Sequence, residues 1–206
     1  MRTLVIETAT AACSVALIEN GVVIARAHET VGRGHAEHLI PMIARLPDGG
    51  RAGHILVDCG PGSFTGIRVG VAAARGLALG WGATLAGYSS LAALAARAFA
   101  DGATADELAV VLEGGHGEVF MQSFAMPLSA TQDLVSLRPD AALAALGGRI
   151  AVGNGVRHLT GLDASLEVQD RLPEAADAVF LPSAFTVLEP KPLYGRAPDA
   201  KPMAAA

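Results

Sequence analysis

The sequence predicts an α/β protein made of two similar halves. Three observations carry this. Three short β-rich runs open the chain, and helical and extended patterns then alternate to about residue 100. After the small polar segment Asp101 to Asp106, the same order of strands followed by alternating elements begins again. The composition, 51% hydrophobic and 17% charged, supplies ample apolar side chain for a core and excludes a disordered chain.

The elements follow in order. Thr3 to Ile6 (TLVI) and Cys13 to Ile18 (CSVALI) read as strands joined by the small turn Thr8-Ala9-Thr10-Ala11. Asn20-Gly21 then stands between CSVALI and VVIARAH, and Asn-Gly between apolar runs is a strong hairpin signal, giving a three-stranded meander. His35 to Leu46 places Leu39, Met42, Ile43 and Leu46 on one helical stripe, with Pro41 as an expected kink. HILVDCG is a buried strand. GPGSFTG opens a helix from about Phe64 to Leu79, TLAGY is a strand, and a helix runs from Ser89-Ser90 to Phe99. The second half repeats the plan with LAVVLE, GEVFMQSF and a run near LVSL. A helix at PDAALAAL, a strand RIAVG, a helix from about Asn154, a short strand near LEVQ and a last helix from about Pro173 to Leu188 follow. The Pro/Ala-rich tail from Glu189 is expected on the surface.

Charge and length narrow the function classes. A formal net charge of −5, with no cluster of Lys and Arg, argues against a direct grip on a phosphate backbone. Glu7 interrupts the stretch where a signal peptide needs its apolar centre, so a cytoplasmic protein is expected. The uncharged stretch between Arg75 and Arg97 is long enough to span a bilayer, but Gly80, Gly82, Gly87 and the polar Tyr88-Ser89-Ser90 divide it into buried pieces. Cys13 and Cys59, in apolar contexts without metal or redox spacing, read as free buried thiols.

The segment Cys59 to Gly70 (CGPGSFTGIRVG) is the most informative. A strand leads into Gly60-Pro61-Gly62, Ser63 or Thr65 can cap the helix that follows, and free amides at such a start favour an anion. It is neither a P-loop nor a GxGxxG fingerprint. Arg68, a cation near a helix N-terminus, should answer to a nearby carboxylate or phosphate. Gly66 and Gly70, then Gly76 and Gly80, with Ala72, Ala73, Ala74 and Ala78 between, give this helix a face almost without side chains, so another helix, from this chain or a partner, should lie against it. His35 and His38 flank Glu37, but the order differs from HExxH and no third ligand is identifiable, so they read as surface or interface histidines. At Glu7-Thr8 an actin-like or sugar-kinase ATPase would carry an acid and a Gly-rich phosphate hairpin. Here the turn Thr8 to Ala12 lacks glycine, which argues against close approach of phosphates. The equivalent turn of the second half, Glu113 to Glu118, is Gly-rich but serves equally as a plain hairpin loop. No nucleophilic or metal-ligand set can be assembled.

RTLVIETATAACSVAL, HAEHLIPM and above all GPGSFTGIRVG with GLALG resemble the bacterial TsaB (YeaZ) family, as do GEVF at Gly117 to Phe120, AVGNG at Ala151 to Gly155 and PLYGRAPDAKP at Pro192 to Pro202. The resemblance runs end to end. It implies a duplicated actin-like ATPase fold (ASKHA, ribonuclease H-like), divided at 1–100 and 101–206, each subdomain a mixed five-stranded sheet with helices. It implies a non-catalytic, cofactor-free and metal-free scaffold in the synthesis of threonylcarbamoyladenosine in tRNA. Such a subunit pairs with TsaD through its N-terminal half, or with a second copy, is joined by the ATPase TsaE, and meets tRNA only indirectly. The interface implied comprises His35, His38, Leu39, Met42, Phe64, Thr65, Gly66, Arg68, Val69, Gly70 and Ala73, and the family motif Thr8, Gly60, Pro61, Gly62, Ser63 and Glu118. The chain departs from the family in having Glu7 for the usual Asp, Glu113-Gly114-Gly115 for an Asp-Ala-Arg-like run, and a short loop Pro47 to Gly53. Two rival readings are a self-sufficient ATPase or kinase using Glu7 and the Gly114 to Gly117 loop, and a metallohydrolase on His35 and His38. The peptidase label attached to this superfamily finds no nucleophile here.

Overall fold

The computed structural model describes residues 1–102, 105–193 and 195. The opening meander is β1 (Arg2–Glu7), β2 (Ala12–Glu19) and β3 (Val22–Thr30), turned at Asn20-Gly21 with both residues at positive φ, as the Asn-Gly signal requires. Helix α1 (His35–Ala44) runs through Pro41 and stops two residues earlier than the periodicity suggests, because Pro47 follows closely and a short 3₁₀ turn takes over at Pro47–Gly50. Strand β4 (His54–Asp58), helix α2 (Phe64–Trp81), strand β5 (Thr84–Tyr88) and helix α3 (Ser90–Ala100) complete the first set. They form a sheet of order β3-β2-β1-β4-β5, with β1, β4 and β5 mutually parallel. Its inner apolar rows, Leu4, Ile6, Val15, Leu17, Ile55 and Val57, are covered by α1 and α2.

The second sheet repeats this plan. It is built from β6 (Glu107–Gly115), β7 (Glu118–Ala125), β8 (Ser129–Ala130), β9 (Val135–Leu137), β10 (Ile150–Val152) and β11 (Val168–Gln169), with α4 (Pro139–Leu146) and α5 (Val156–Thr160) beside it. The order β8-β7-β6-β10-β11 matches the first sheet position for position: an antiparallel neighbour on one side of the central strand and a parallel pair on the other. This sheet has six strands rather than the five expected, because two short strands, β8 and β9, share the outer edge of β7 that one long strand would occupy.

Helix α3 binds the two sheets together. Its Leu91, Leu94, Ala95 and Ala98 pack on Leu108, Val110 and Val152 of the second sheet, while Ala93 faces Val5, Leu56 and Tyr88 of the first.

The expected helix from Pro173 to Leu188 is absent. Residues 175–180 and 183–185 are two 3₁₀ turns with extended chain between. Pro182, which lacks an N–H and disfavours helix at Leu181, breaks the pattern, and the segment forms a strap across the first sheet instead. The Ala175 amide donates to Ser14 Oγ (3.1 Å), Gly87 and Leu188 pair as a β-bridge, and the Leu193 amide donates to the Cys59 carbonyl (2.8 Å). The tail beyond, including most of PLYGRAPDAKP, lies outside the described residues. No helix among the described residues is long and apolar enough to cross a membrane.

Candidate functional site

The parallel strands β1 and β4 end side by side, with Ile6 opposite Val57, so the next residues, Glu7 and Asp58, emerge together at the carboxyl edge of the sheet. This is where open α/β sheets place their ligands. Both side chains are fully buried. Glu7 accepts from the Ala9 amide (2.9 Å), the Tyr88 hydroxyl (3.0 Å) and Ser90 Oγ (2.8 Å). Asp58 accepts through Oδ2 from the Thr8 amide (2.8 Å) and Thr8 Oγ1 (2.9 Å), the Gly60 backbone also favours its ionised form, and among the described residues no hydrogen-bond partner is placed on its Oδ1. Burial raises the pKa of both carboxyls, Asp58 to about 7, and the neighbouring Asp58 raises Glu7 further.

The GPGSFTG loop is seated on this junction. The Ser63 amide donates to the Ala9 carbonyl (2.6 Å), and Ser63 Oγ caps α2 by accepting from the Gly66 amide (3.1 Å). Of the two expected caps, Ser63 rather than Thr65 does this. Ser63→Ala should cost about 1 kcal/mol of stability, the ordinary worth of an N-cap, read from the urea midpoint. A Cβ on Gly62 would stand on the Ala9 carbonyl, one on Gly66 on the Thr8 carbonyl, and one on Gly70 on Thr8 Oγ1. The neighbour that the small-residue face admits at Gly66 and Gly70 is therefore the end of β1, within this chain. At Gly76 and Gly80 a Cβ would meet nothing.

The residues expected at an interface thus divide. His35, Leu39 and Met42 of α1 and Gly66 and Gly70 of α2 are buried on the inner sides of their helices, so of the histidine pair expected at the surface or an interface only His38 is exposed. His35 is held by the Ala12 carbonyl (3.1 Å to Nε2), whereas His38 meets Glu29 on β3 (2.9 Å). The two histidines do not converge, and among the described residues no His/Cys/Asp/Glu group could hold a metal ion. His38, Phe64 and Thr65 are exposed, and Arg68, Val69 and Ala73 half-buried. Arg68 stacks its guanidinium over the Phe64 ring, 3.1 Å from the centroid, a cation–π contact that sequence reasoning, which sought an anion, did not foresee. Leu79, 87% exposed, Phe64, 65%, and Ile40, 47%, make the outer sides of α1 and α2 unusually apolar. Asp58, Tyr88, Ser90, Ile40 and Leu79 were not singled out. A charged residue closing the apolar run HILVDCG was the signal for Asp58.

Of the family motif, Thr8, Gly60, Pro61, Gly62 and Ser63 lie together at this junction, whereas Glu118 lies on the second sheet, accepting from Ser136 Oγ (2.7 Å). There Glu113 accepts from Asn154 Nδ2 (3.2 Å) beside the Gly-rich turn.

The repeated sheets with their crossing helices define a protein of the duplicated actin-like α/β class. A family model described as "TsaD: tRNA N6-adenosine threonylcarbamoyltransferase" matches residues 22–141, more than half of the chain, and the chain belongs to that family. Among its relatives are the Escherichia coli and Haemophilus influenzae proteins named "tRNA threonylcarbamoyladenosine biosynthesis protein TsaB". They are 37% identical over 60% of this chain and 40% over 47%, and the matches span 55% and 42% of those proteins. An uncharacterized protein of Mycobacterium tuberculosis, Rv3421c, is 31% identical over 98% of this chain and 94% of its own. A solved structure of YeaZ from Pseudomonas aeruginosa superposes with a TM-score of 0.76 at 26% identity, covering 94% of this chain and 99% of that one. The ethanolamine utilization protein EutJ of Carboxydothermus hydrogenoformans, at TM-score 0.53 and 13% identity over 87% and 89% of the two chains, shares the fold.

Proposed function

We propose that this chain is a cytoplasmic, non-catalytic subunit of the system that makes threonylcarbamoyladenosine in tRNA. It binds a TsaD-type partner through the outer sides of α1 and α2, with a TsaE-type ATPase joining and tRNA met only through the partner. The observation that carries this is the contrast between the inner and outer sides of α2. Its N-terminal loop is packed onto the β1–β2 turn, where an actin-like ATPase would admit phosphates, and Glu7 is enclosed by Ala9, Tyr88 and Ser90. Its outer side instead offers exposed Phe64 and Leu79. Apolar side chains that exposed on a helix fit the hydrophobic centre of an interface. The names of the TsaB relatives support the pathway, and the family match supports a partner of related fold. Mixing the purified chain with its cognate TsaD-type protein should give one co-eluting species on size exclusion. Two separate peaks at all concentrations would refute the proposal.

A further inference from the structure

We propose that residues 187–193 of the strap clamp α2, with Arg75 as the positioning residue, and that this clamp sets how the outer side of α2 is presented to a partner. Over this short stretch the strap is fastened to the first half repeatedly. Leu188 exchanges backbone hydrogen bonds with Gly87 on β5 (2.7 and 3.0 Å), the Pro190 carbonyl accepts from the Arg75 guanidinium on α2 (2.8 Å), and the Leu193 amide donates to the Cys59 carbonyl (2.8 Å). Cys59 leads into the GPGSFTG loop, and Arg75 lies beyond the midpoint of α2, so the strap holds both the approach to the helix and its second half.

The two halves of α2 are secured differently. The first is seated by glycine, since a Cβ on Gly66 or Gly70 would stand on Thr8. The second has no such seat: a Cβ on Gly76 or Gly80 would meet nothing, and the residues it turns to the core are Ala74 and Ala78, with Leu77 and Trp81 partly buried. Methyl groups make few contacts each, so packing by alanines restrains a tilt of this half only weakly. The hydrogen bond from Arg75 opposes that tilt, and a charged donor makes it stronger than a neutral one.

The strap is a firm anchor because it lies unusually close to β5. A Cβ on Gly87 would stand on Cys59 Sγ and come within 3.3 Å of the Leu188 and Glu189 carbonyls, so glycine is what admits the strap here. The Glu189 carbonyl accepts from Cys59 Sγ (3.5 Å) and from the Lys191 amide (2.7 Å), which folds the chain sharply at Pro190.

The effect on α2 is read without a partner, whereas the effect on binding rests on the proposed function. Trp81, the only tryptophan, ends α2 and packs on the first core, so its emission reports the second half of the helix. In the full-length Arg75→Met protein, which keeps the stem but no donor, hydrogen exchange of the amides of residues 77–81 should quicken about 10-fold, the worth of a hydrogen bond to a charged group. Trp81 emission should move to longer wavelength, and the amides of 66–70 should not change. Arg75→Lys, which keeps a cationic donor, should restore both readouts. Leu188→Pro removes the donor to the Gly87 carbonyl but leaves Arg75 in place, and should quicken the same amides. Unchanged exchange at 77–81 in Arg75→Met would overturn the clamp, as would quickening that Leu188→Pro does not share. If Leu188→Pro does not fold, the Arg75 variants decide alone. By calorimetry both Arg75→Met and Leu188→Pro should bind the TsaD-type partner about 5-fold more weakly. A loss confined to Arg75→Met would mean that Arg75 touches the partner itself, and overturns the positioning role. A native chain that binds no partner would refute the proposed function, and the exchange result would still decide the clamp.

Discussion

Replacing Gly66 by alanine is expected to destabilise the protein by about 3 kcal/mol, the upper end of the usual cost of overpacking. The new methyl would stand on the Thr8 carbonyl oxygen, with Ser63 Cβ and Oγ at 3.3 Å on its other side. Neither obstacle is the free end of a flexible side chain. Thr8 is tied to Asp58 through its amide and hydroxyl, and Ser63 to the Ala9 carbonyl, so the methyl can be admitted only by prising α2 away from the sheet. Against a total stability of about 5–15 kcal/mol, such a loss is a large fraction from one methyl group. Gly76→Ala is the control within the same helix. Nothing lies within 4 Å of its added Cβ, and replacing glycine in an exposed helix interior should stabilise by about 0.5–1 kcal/mol. Urea denaturation of the two variants should therefore give shifts of opposite sign. A Gly66→Ala protein as stable as the parent would mean that the loop is not seated on β1.

By the same geometry Gly70→Leu would report on the fold and not on a partner. Gly70 faces Thr8 Oγ1 and the Asp58 carboxyl, so the larger side chain would disrupt the junction inside the molecule. Lost association in that variant would reflect damage to the fold and would not locate a partner.

Much of the architecture was legible because period and turn chemistry agreed. The Asn20-Gly21 hairpin, the alternation through α2 and β5, and the restart after residue 100 all rest on local signals, and the two sheets follow them. The segment after Pro173 misled because apolar spacing alone cannot tell a helix from a strap when alanines fill it. Ala175, Ala176 and Ala178 are buried against the sheet in a 3₁₀ turn that Pro182 prevents from continuing. The site was legible as a motif but not as a direction. Gly66 and Gly70 announced close approach, yet which of two neighbours would approach depends on how α2 is rotated over β1, and that is set by Ile67, Val71 and Ala74 meeting a sheet folded from distant segments. Asp58 is the clearest omission. Its meaning comes from lying beside Glu7, and only the parallel pairing of β1 with β4, about fifty positions apart, brings that about.

The outer side of α2 is where a charge should separate association from folding. Phe64→Glu combined with Leu79→Lys is expected to weaken binding of a TsaD-type partner by about 100-fold, near 2.7 kcal/mol, the worth of two good anchors in an interface centre. Each charge is chosen to suit the helix: an anion at its first residue and a cation in its last turn, which holds no basic residue in the native chain. Both side chains are largely in solvent, so their loss should leave the urea midpoint of the isolated chain nearly unchanged. The loss of the Phe64 contact with Arg68 sets the largest cost, about 0.5–1 kcal/mol for an exposed cation–π pair. Titration of the variant against the partner by calorimetry checks the first quantity and urea denaturation the second. Wild-type affinity in the double variant would remove this face of α2 from the interface. A joint loss of affinity and stability would instead show that Phe64 and Arg68 hold the helix start in place.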